Sequence, residues 1–475
     1  MAAFVRHRIP FAGRRSVTAP ATCAQRHIWN LMQERLPDAA FYDVCYWVAL
    51  PGRRGTAQDL LDVCAELVAR HESLHTGFHR DADGTLVQQV VDAAEFEAEV
   101  WTLGPHDDPD AVREAWERRM RHTPFDPARA PLIRFMVTVV DGACVLAAFC
   151  VSHLAVDLTS VRLLADEMTR LFDARAADRP LPPAVPARRP VEQAQLEQSP
   201  RGRALQARAR AYWCRQLDAA PTTLFPDRGG PAAPVRYSAG MSSRAAALAV
   251  PVLARRWRVS TSVVLLTVVA RLLGRRAGLP SCTLRLLTAN RSDPDVRGTV
   301  ANLHTEVPVT IALDGDRAED IARRALAACT AAYANGLYDP DDVARLIASA
   351  RGPGVPVDLS YCFNDIREEQ ALPDAAEDDE AVSGESLRAA MADTVVAPDE
   401  FEEGETFFIV IDDEVPGWIR IVLNADHRAL TPSEVHAFLR DIERLLVEYV
   451  ENTGGDHGPA AAVGGSTGRF SAAES

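Results

Sequence analysis

The sequence predicts a mixed α/β (α+β) protein built as two lobes. Three observations carry this. At 475 residues the chain exceeds what one ordinary core supports. Each half mixes short apolar runs with stretches of helical spacing. Between the halves, residues 178–200 contain "RPLPPAVPARRP", whose prolines lack an amide proton and resist helix, so this stretch reads as a surface connector. The expected organisation is an N-terminal lobe (1–177), a Pro-rich connector (178–200), a C-terminal lobe (201–452) and a disordered Gly/Ala/Ser-rich tail (453–475).

The elements follow in order. "FVRHRIPF" reads as a first strand, and "CAQRHIWNLMQERL" as a helix with Ile28, Leu31 and Met32 on one face. Thr56 can cap the next helix, whose stripe is Leu60, Cys64, Leu67 and Val68. Asp83-Gly84 and Asp141-Gly142 each join two strands in a hairpin. The strand after Asp141-Gly142, "ACVLAAFCV", is apolar on consecutive residues, so both its faces must be covered. It stops at Ser152 and His153, and Asp157 precedes a helix marked by Val161, Leu164, Met168 and Leu171. The second half starts with a helix near Ala204–Leu217, then one capped at Ser260 or Thr261. Strands at "CTLRLLT" and "HTEVPVTIAL" precede a helix over Ala318–Ala334. "VPVDLSYCF", "ETFFIVID" and "WIRIVLNA" are further strands. The last helix runs from Pro432 to about Tyr449, and "DAAEDDEAVSGES" is a solvated acidic loop.

Composition narrows the function classes. Lys and Arg number 51 against 66 Asp and Glu, a formal charge of −15, which argues against a nucleic-acid or anionic-membrane binder. The nine cysteines form no C-x-x-C pair and read as free thiols in a reducing compartment. The N-terminal stretch lacks the apolar core of a signal peptide, and no apolar run reaches the ~18–20 residues of a membrane span. A cytoplasmic protein is expected.

Several segments together resemble the condensation domains of nonribosomal peptide synthetases, within the chloramphenicol-acetyltransferase-like acyltransferases. "RHESLHTGF" (Arg70–Phe78) is similar to the family's R-H-E-x-L-R-T-x-F. "TCAQRHIW" is similar to S-x-A-Q-x-R-x-W, with Thr22 and His27 as substitutions. "TPFDPARAPLIRF", "AYWCRQLDAAP", "GTVANLHTEVPV" and "YDPDDVARLI" match further segments in the family's order, over roughly Thr22 to Tyr449. The resemblance implies two chloramphenicol-acetyltransferase-like lobes arranged in a V around a central tunnel. The family's active motif, H-H-x-x-x-D-G, falls on Ser152 to Leu158. His153 and Asp157 are kept; Ser152 replaces the first histidine and Leu158 the glycine.

The resemblance implies that His153 orients or deprotonates an acceptor nucleophile attacking a thioester. By position alone a histidine satisfied by backbone at a strand end is the plainer reading. The acyl-transfer reading requires its ring to project into a water-filled passage open on both faces. Asp157 either caps the following helix or, as the family implies, pairs with an arginine of the second lobe, here Arg291; in neither case is it the chemical base. Ser152 supports the motif through hydrogen bonds in the family reading. A Ser152 nucleophile served by His153 is disfavoured, because adjacent strand residues point to opposite faces and no G-x-S-x-G elbow is present. Leu158 adds bulk where glycine permits close approach. Leu158 and Asn302 are expected to line the tunnel. His71, Glu72 and His75 belong to the family segment rather than to a metal site, and no metal is expected.

The resemblance thus implies a free-standing condensation enzyme of specialised-metabolite (antibiotic) biosynthesis. It would join an acyl or aminoacyl thioester to a small-molecule amine or hydroxyl acceptor. It would hold no cofactor of its own; an acyl or peptidyl carrier protein would supply the phosphopantetheine. Two alternatives stand beside this reading. One is a catalytically impaired relative acting as a scaffold that docks a carrier protein or recruits a partner enzyme. The other is a coenzyme A-dependent acyltransferase.

Overall fold

A computed structural model describes every residue except 1–2, 37–41, 51, 53–54, 105, 226–234, 316, 351–356, 369–381, 402–403 and 453–475. The expected tail and most of the acidic loop therefore lie outside the described residues.

The first half runs β1 (Ala3–Ala12), β2 (Val17–Pro20), α1 (Cys23–Glu34), β3 (Asp43–Ala49), α2 (Ala57–Arg70), β4 (Thr76–Arg80), β5 (Leu86–Val90), β6 (Ala93–Leu103), α3 (Pro109–Met120), β7 (Ile133–Val140), β8 (Ala143–Ser152) and α4 (Leu158–Ala176). A five-stranded sheet has the order β1-β6-β7-β8-β3, and a small sheet the order β2-β5-β4. β8 is flanked on both sides, by β7 and β3, which is what its unbroken apolar run demands. Helices α2 and α4 share one core with residues of β8, including Phe149 and Val151. Trp116 and Met120 of α3 pack with Ala148 and Cys150 in a separate cluster. Capping is local chemistry: Thr56 and Asp59 exchange hydrogen bonds at the start of α2.

The second half runs α5 (Pro190–Gln198), α6 (Pro200–Ala219), β9 (Arg236–Ser243), α7 (Arg244–Trp257), α8 (Thr261–Ala277), β10 (Ser281–Thr288), β11 (Thr305–Ala312), α9 (Ala318–Tyr333), α10 (Pro340–Ala350), β12 (Tyr361–Asp365), α11 (Gly384–Met391), β13 (Val395–Pro398), β14 (Phe407–Asp412), β15 (Ile419–Asp426) and α12 (Pro432–Asn452). Its seven strands are ordered β11-β10-β12-β14-β15-β9-β13, and helices α7, α8, α9 and α12 contribute to one large core on this sheet.

The stretch 178–200 is only partly the irregular connector its prolines predict. Residues 190–198 form α5, with Pro190 in the first turn, where a missing amide proton costs no helical hydrogen bond. α5 joins the two halves. Gln88 donates to the Pro190 carbonyl at 3.4 Å, and Glu197 accepts from the Cys23 backbone amide at 2.7 Å. Across the same boundary Arg26 of α1 pairs with Asp339 (3.1 Å) and with Asp341 of α10 (2.6 Å).

Candidate functional site

β8 delivers the motif to the junction of the halves. Its last residue, Ser152, is held by backbone: its amide donates to Leu132 O (3.1 Å), and its carbonyl accepts from Ala155 N (2.9 Å). The second bond closes a tight turn that presents His153. Asp157 then caps α4, accepting from the Ser160 amide at 2.8 Å.

The same carboxylate bonds across the halves. Arg291 Nη2 donates to Asp157 Oδ1 at 2.8 Å and to Oδ2 at 3.0 Å, and the Leu303 amide donates to Oδ2 at 3.1 Å. Arg291 Nη1 is spent on the carbonyls of Val296 (2.8 Å) and Thr299 (2.7 Å). The two readings of Asp157 are therefore not alternatives; one carboxylate has enough lone pairs to cap a helix and bind a guanidinium. Ser160 extends the junction by donating from its hydroxyl to Ala301 O at 2.7 Å.

His153 Nδ1 lies 2.7 Å from the carbonyl oxygen of Val156. A carbonyl only accepts, so the neutral ring carries its proton on Nδ1 and its lone pair on Nε2. The residue is half-buried. Burial disfavours the imidazolium and lowers its pKa from the ordinary histidine value, against the opposing pull of the Val156 carbonyl and Asp157. The group is thus a neutral acceptor at pH 7.

A cavity of about 1200 Å³ opens between the halves. Its walls include His27, Asn30 and Leu31 of α1 on one side, and Trp213, Arg285, Glu306 and Tyr338 on the other. His153 does not line it, and neither do Leu158 and Asn302. Leu158 packs against the core of the first half, and Asn302 is 1% exposed with its Oδ1 accepting from the His304 amide at 2.9 Å. The expectation that these three residues face one open passage therefore differs from what the cavity shows. A third histidine, His304, neighbours both His153 and the cavity-lining His27: its ring centroid lies 5.9 Å from that of His153 and 6.2 Å from that of His27. Burial, then the neighbouring His153, pushes the His304 pKa down to about 3. Burial likewise lowers that of His27. Burial is the largest influence on Glu306 and pushes it up, but Arg285, His27 and His304 together outweigh this and hold it below the usual carboxylate range.

Ser152 also departs from expectation. Its hydroxyl is buried and has no hydrogen-bond partner among the described residues, so its backbone, not its side chain, supports the turn. Opposite it in register on β3 stands Asp43, whose carboxyl is raised by burial to about 8 despite the nearby Arg134. His71, Glu72 and His75 separate to different partners: Glu167, Arg15 with Arg189, and the Val91 carbonyl. Among the described residues no group of three or more His, Cys, Asp or Glu is arranged to hold a metal ion. His304, Glu306 and Arg285 belong to no catalytic motif in the sequence. The signal available was "NLHTEVPV", where His304 and Glu306 put polar groups on one face of an otherwise apolar strand.

A family model described as Condensation domain matches residues 16–353. The chain belongs to that family. This condensation domain is 27% identical over 303 residues to chondramide synthase cmdD of Chondromyces crocatus, which covers 62% of the chain but 8% of the synthase. It is 27% identical over 299 residues to phosphinothricin tripeptide synthetase PhsC of Streptomyces viridochromogenes, covering 58% of the chain and 26% of that protein. The condensation domain thus spans a small part of these curated relatives. Its fold is similar to the first condensation domain of the CDA synthetase (TM-score 0.68, 19% identity, 91% of this chain and 96% of that one). It is also similar to SgcC5 from Streptomyces globisporus, solved with a naphthyl ethanediol and sucrose (TM-score 0.66, 20% identity, 91% and 98%). These likenesses establish the two-lobed acetyltransferase-like fold of the condensation domain. No single helix among its described residues is long and apolar enough to cross a membrane.

Proposed function

We propose that the chain is a condensation enzyme that moves an acyl or aminoacyl group from a carrier-protein thioester onto an amine or hydroxyl acceptor. The observation that carries this is His153: a neutral imidazole with Nε2 bare, on a turn fixed by Val156 and by the Asp157–Arg291 pair. The acceptor's N–H or O–H would donate to Nε2. Its lone pair attacks the thioester carbonyl, the C–N or C–O bond forms, and the C–S bond breaks. The proton passes through Nε2 to the departing thiolate, so the imidazole ends neutral. An amine attacking a thioester is favourable chemistry, so holding the nucleophile in line supplies much of the gain. General-base help adds about 10²–10⁴-fold. No step requires a resident metal or cofactor; the phosphopantetheine arm arrives as part of the carrier-bound substrate.

The scaffold reading has its own observation, since neither His153 nor the neighbouring His304 lines the cavity. One experiment separates the readings. Acyl-carrier and acyl-coenzyme A thioesters are offered in parallel to the wild type and to His153→Ala. The condensation reading expects turnover with the carrier thioester, reduced about 10²-fold or more in the variant. Unchanged turnover in His153→Ala removes that residue from the chemistry, and turnover only with acyl-coenzyme A moves the enzyme to the third class. Carrier binding with no turnover from either donor leaves the scaffold.

A further inference from the structure

Four buried polar atoms without a protein partner among the described residues gather where the cavity approaches His153. They are Nε2 of His27, both ring nitrogens of His304 and Nδ2 of Asn302. A buried polar atom left unpaired is disfavoured, and each native exception calls for an explanation. Apolar packing does not explain this group, because two of the four atoms belong to one ring that has two other imidazoles as neighbours, at 5.9 and 6.2 Å. A neutral imidazole offers one N–H donor and one bare nitrogen, so His304 keeps its full hydrogen-bonding capacity unspent.

We propose that His304 is a positioning residue for the acceptor, hydrogen-bonding a polar group of that molecule as it passes from the cavity and seating its nucleophile against His153. This rests on the acyl-transfer reading of His153. The ring satisfies a ligand group that both donates and accepts, which an amine, hydroxyl or amide does. The charge on the cavity wall narrows the class further. Five carboxylates line the cavity against the three guanidiniums of Arg80, Arg285 and Arg428, and Glu306 and Glu405 share that of Arg285, leaving surplus negative charge on the approach. A free carboxylate on the acceptor is therefore repelled, and a neutral or cationic acceptor, with its acid end masked as an amide or thioester, is admitted.

The test uses the full chain and a panel of aminoacyl amides with the matching free amino acids, measured by calorimetric titration. The proposal expects at least one amide to bind the wild type more tightly than its free acid. His304→Leu should weaken that amide about tenfold or more, one hydrogen bond's worth, and His304→Gln, which keeps a donor and an acceptor, should recover most of it. His304→Leu should also be at least as stable to urea as the wild type, since it removes two unpaired atoms. A purely structural histidine gives the opposite sign. The proposal is overturned by unchanged amide binding in His304→Leu, by loss of stability in that variant, or by no amide binding the wild type. Turnover is read separately. Amide binding that depends on His304, without acyl transfer by the wild type, removes the reaction and keeps the placement of the ligand.

Discussion

Replacing Arg291 by alanine tests the link between the halves most directly. The Asp157 side chain is 4% exposed and that of Arg291 9%, so neither charge is repaid by water when its partner goes. Removing the guanidinium leaves a buried carboxylate with neutral donors alone, the amides of Leu303 and Ser160 and the Ser160 hydroxyl. It also removes the Arg291 donor from the Thr299 carbonyl and one of two donors from the Val296 carbonyl, which keeps the Thr299 amide at 3.1 Å. Breaking a buried pair from one side costs about 3–5 kcal/mol, and Arg291→Ala is expected within that range. Asp157→Asn keeps an oxygen for the cap but turns an amide toward the arginine, so it should also destabilise. The double variant should lose less than the sum of the two, with a coupling of about 1–3 kcal/mol. Urea titration of the four proteins supplies the cycle. The Val156 carbonyl, which fixes the His153 tautomer, immediately precedes Asp157, so acyl transfer should fall in the same variants. A loss below about 1 kcal/mol in Arg291→Ala, the size of an exposed pair, would refute the reasoning.

Other expectations concern protons and space. Asp43 is raised to about 8 from ~3.9 in the unfolded chain, so the folded state holds the extra proton and stability falls as pH rises between those values. Asp43→Asn should flatten that slope and gain up to about 4 kcal/mol at pH 7, from 1.4 kcal/mol per unit, read as unfolding free energy at several pH values. His304 has the opposite sign: with its pKa lowered to about 3, the unfolded chain takes up a proton below ~6.5 that the folded one refuses. Stability is then present above pH 6.5 and lost below it, by about 2 kcal/mol at pH 5, and His304→Leu should not show that share of the loss in the same titration. At Gly202 an added Cβ would lie 2.2 Å from Leu196 O and 2.4 Å from Glu197 O, both backbone. Gly202→Ala should therefore cost about 1–3 kcal/mol by forcing α5 and α6 apart, measured as a lowered Tm.

Sequence carried the fold where local chemistry decides it. The Asp-Gly turns, the Thr56 and Ser260 caps and the unbroken run of β8 need no distant partner to be recognised. It failed where partners are remote or a local signal misleads. Helix α7 contains Pro251, which argues against helix, yet Ser243 caps its start and buried alanines line it. Strand β13 has four residues and exists through its pairing with β9, some 150 positions away. At the site, Asp157 and Arg291 were legible through the family motif. His304 was not, because nothing local to "NLHTEV" says that the start of β11 abuts the exit of β8. The two segments are brought together by the bonds of Asp157 and Ser160 to Leu303 and Ala301.

The cavity's walls come from both halves: α1 supplies one side and the β10–β11 region the other, with Arg26 tying α1 to α10. Neither half on its own encodes the shape of that space. A chimera that grafts the first half of one such protein onto the second half of another would inherit the substrate preference of neither parent. Engineering a new preference requires compensating changes made together on both sides of the seam.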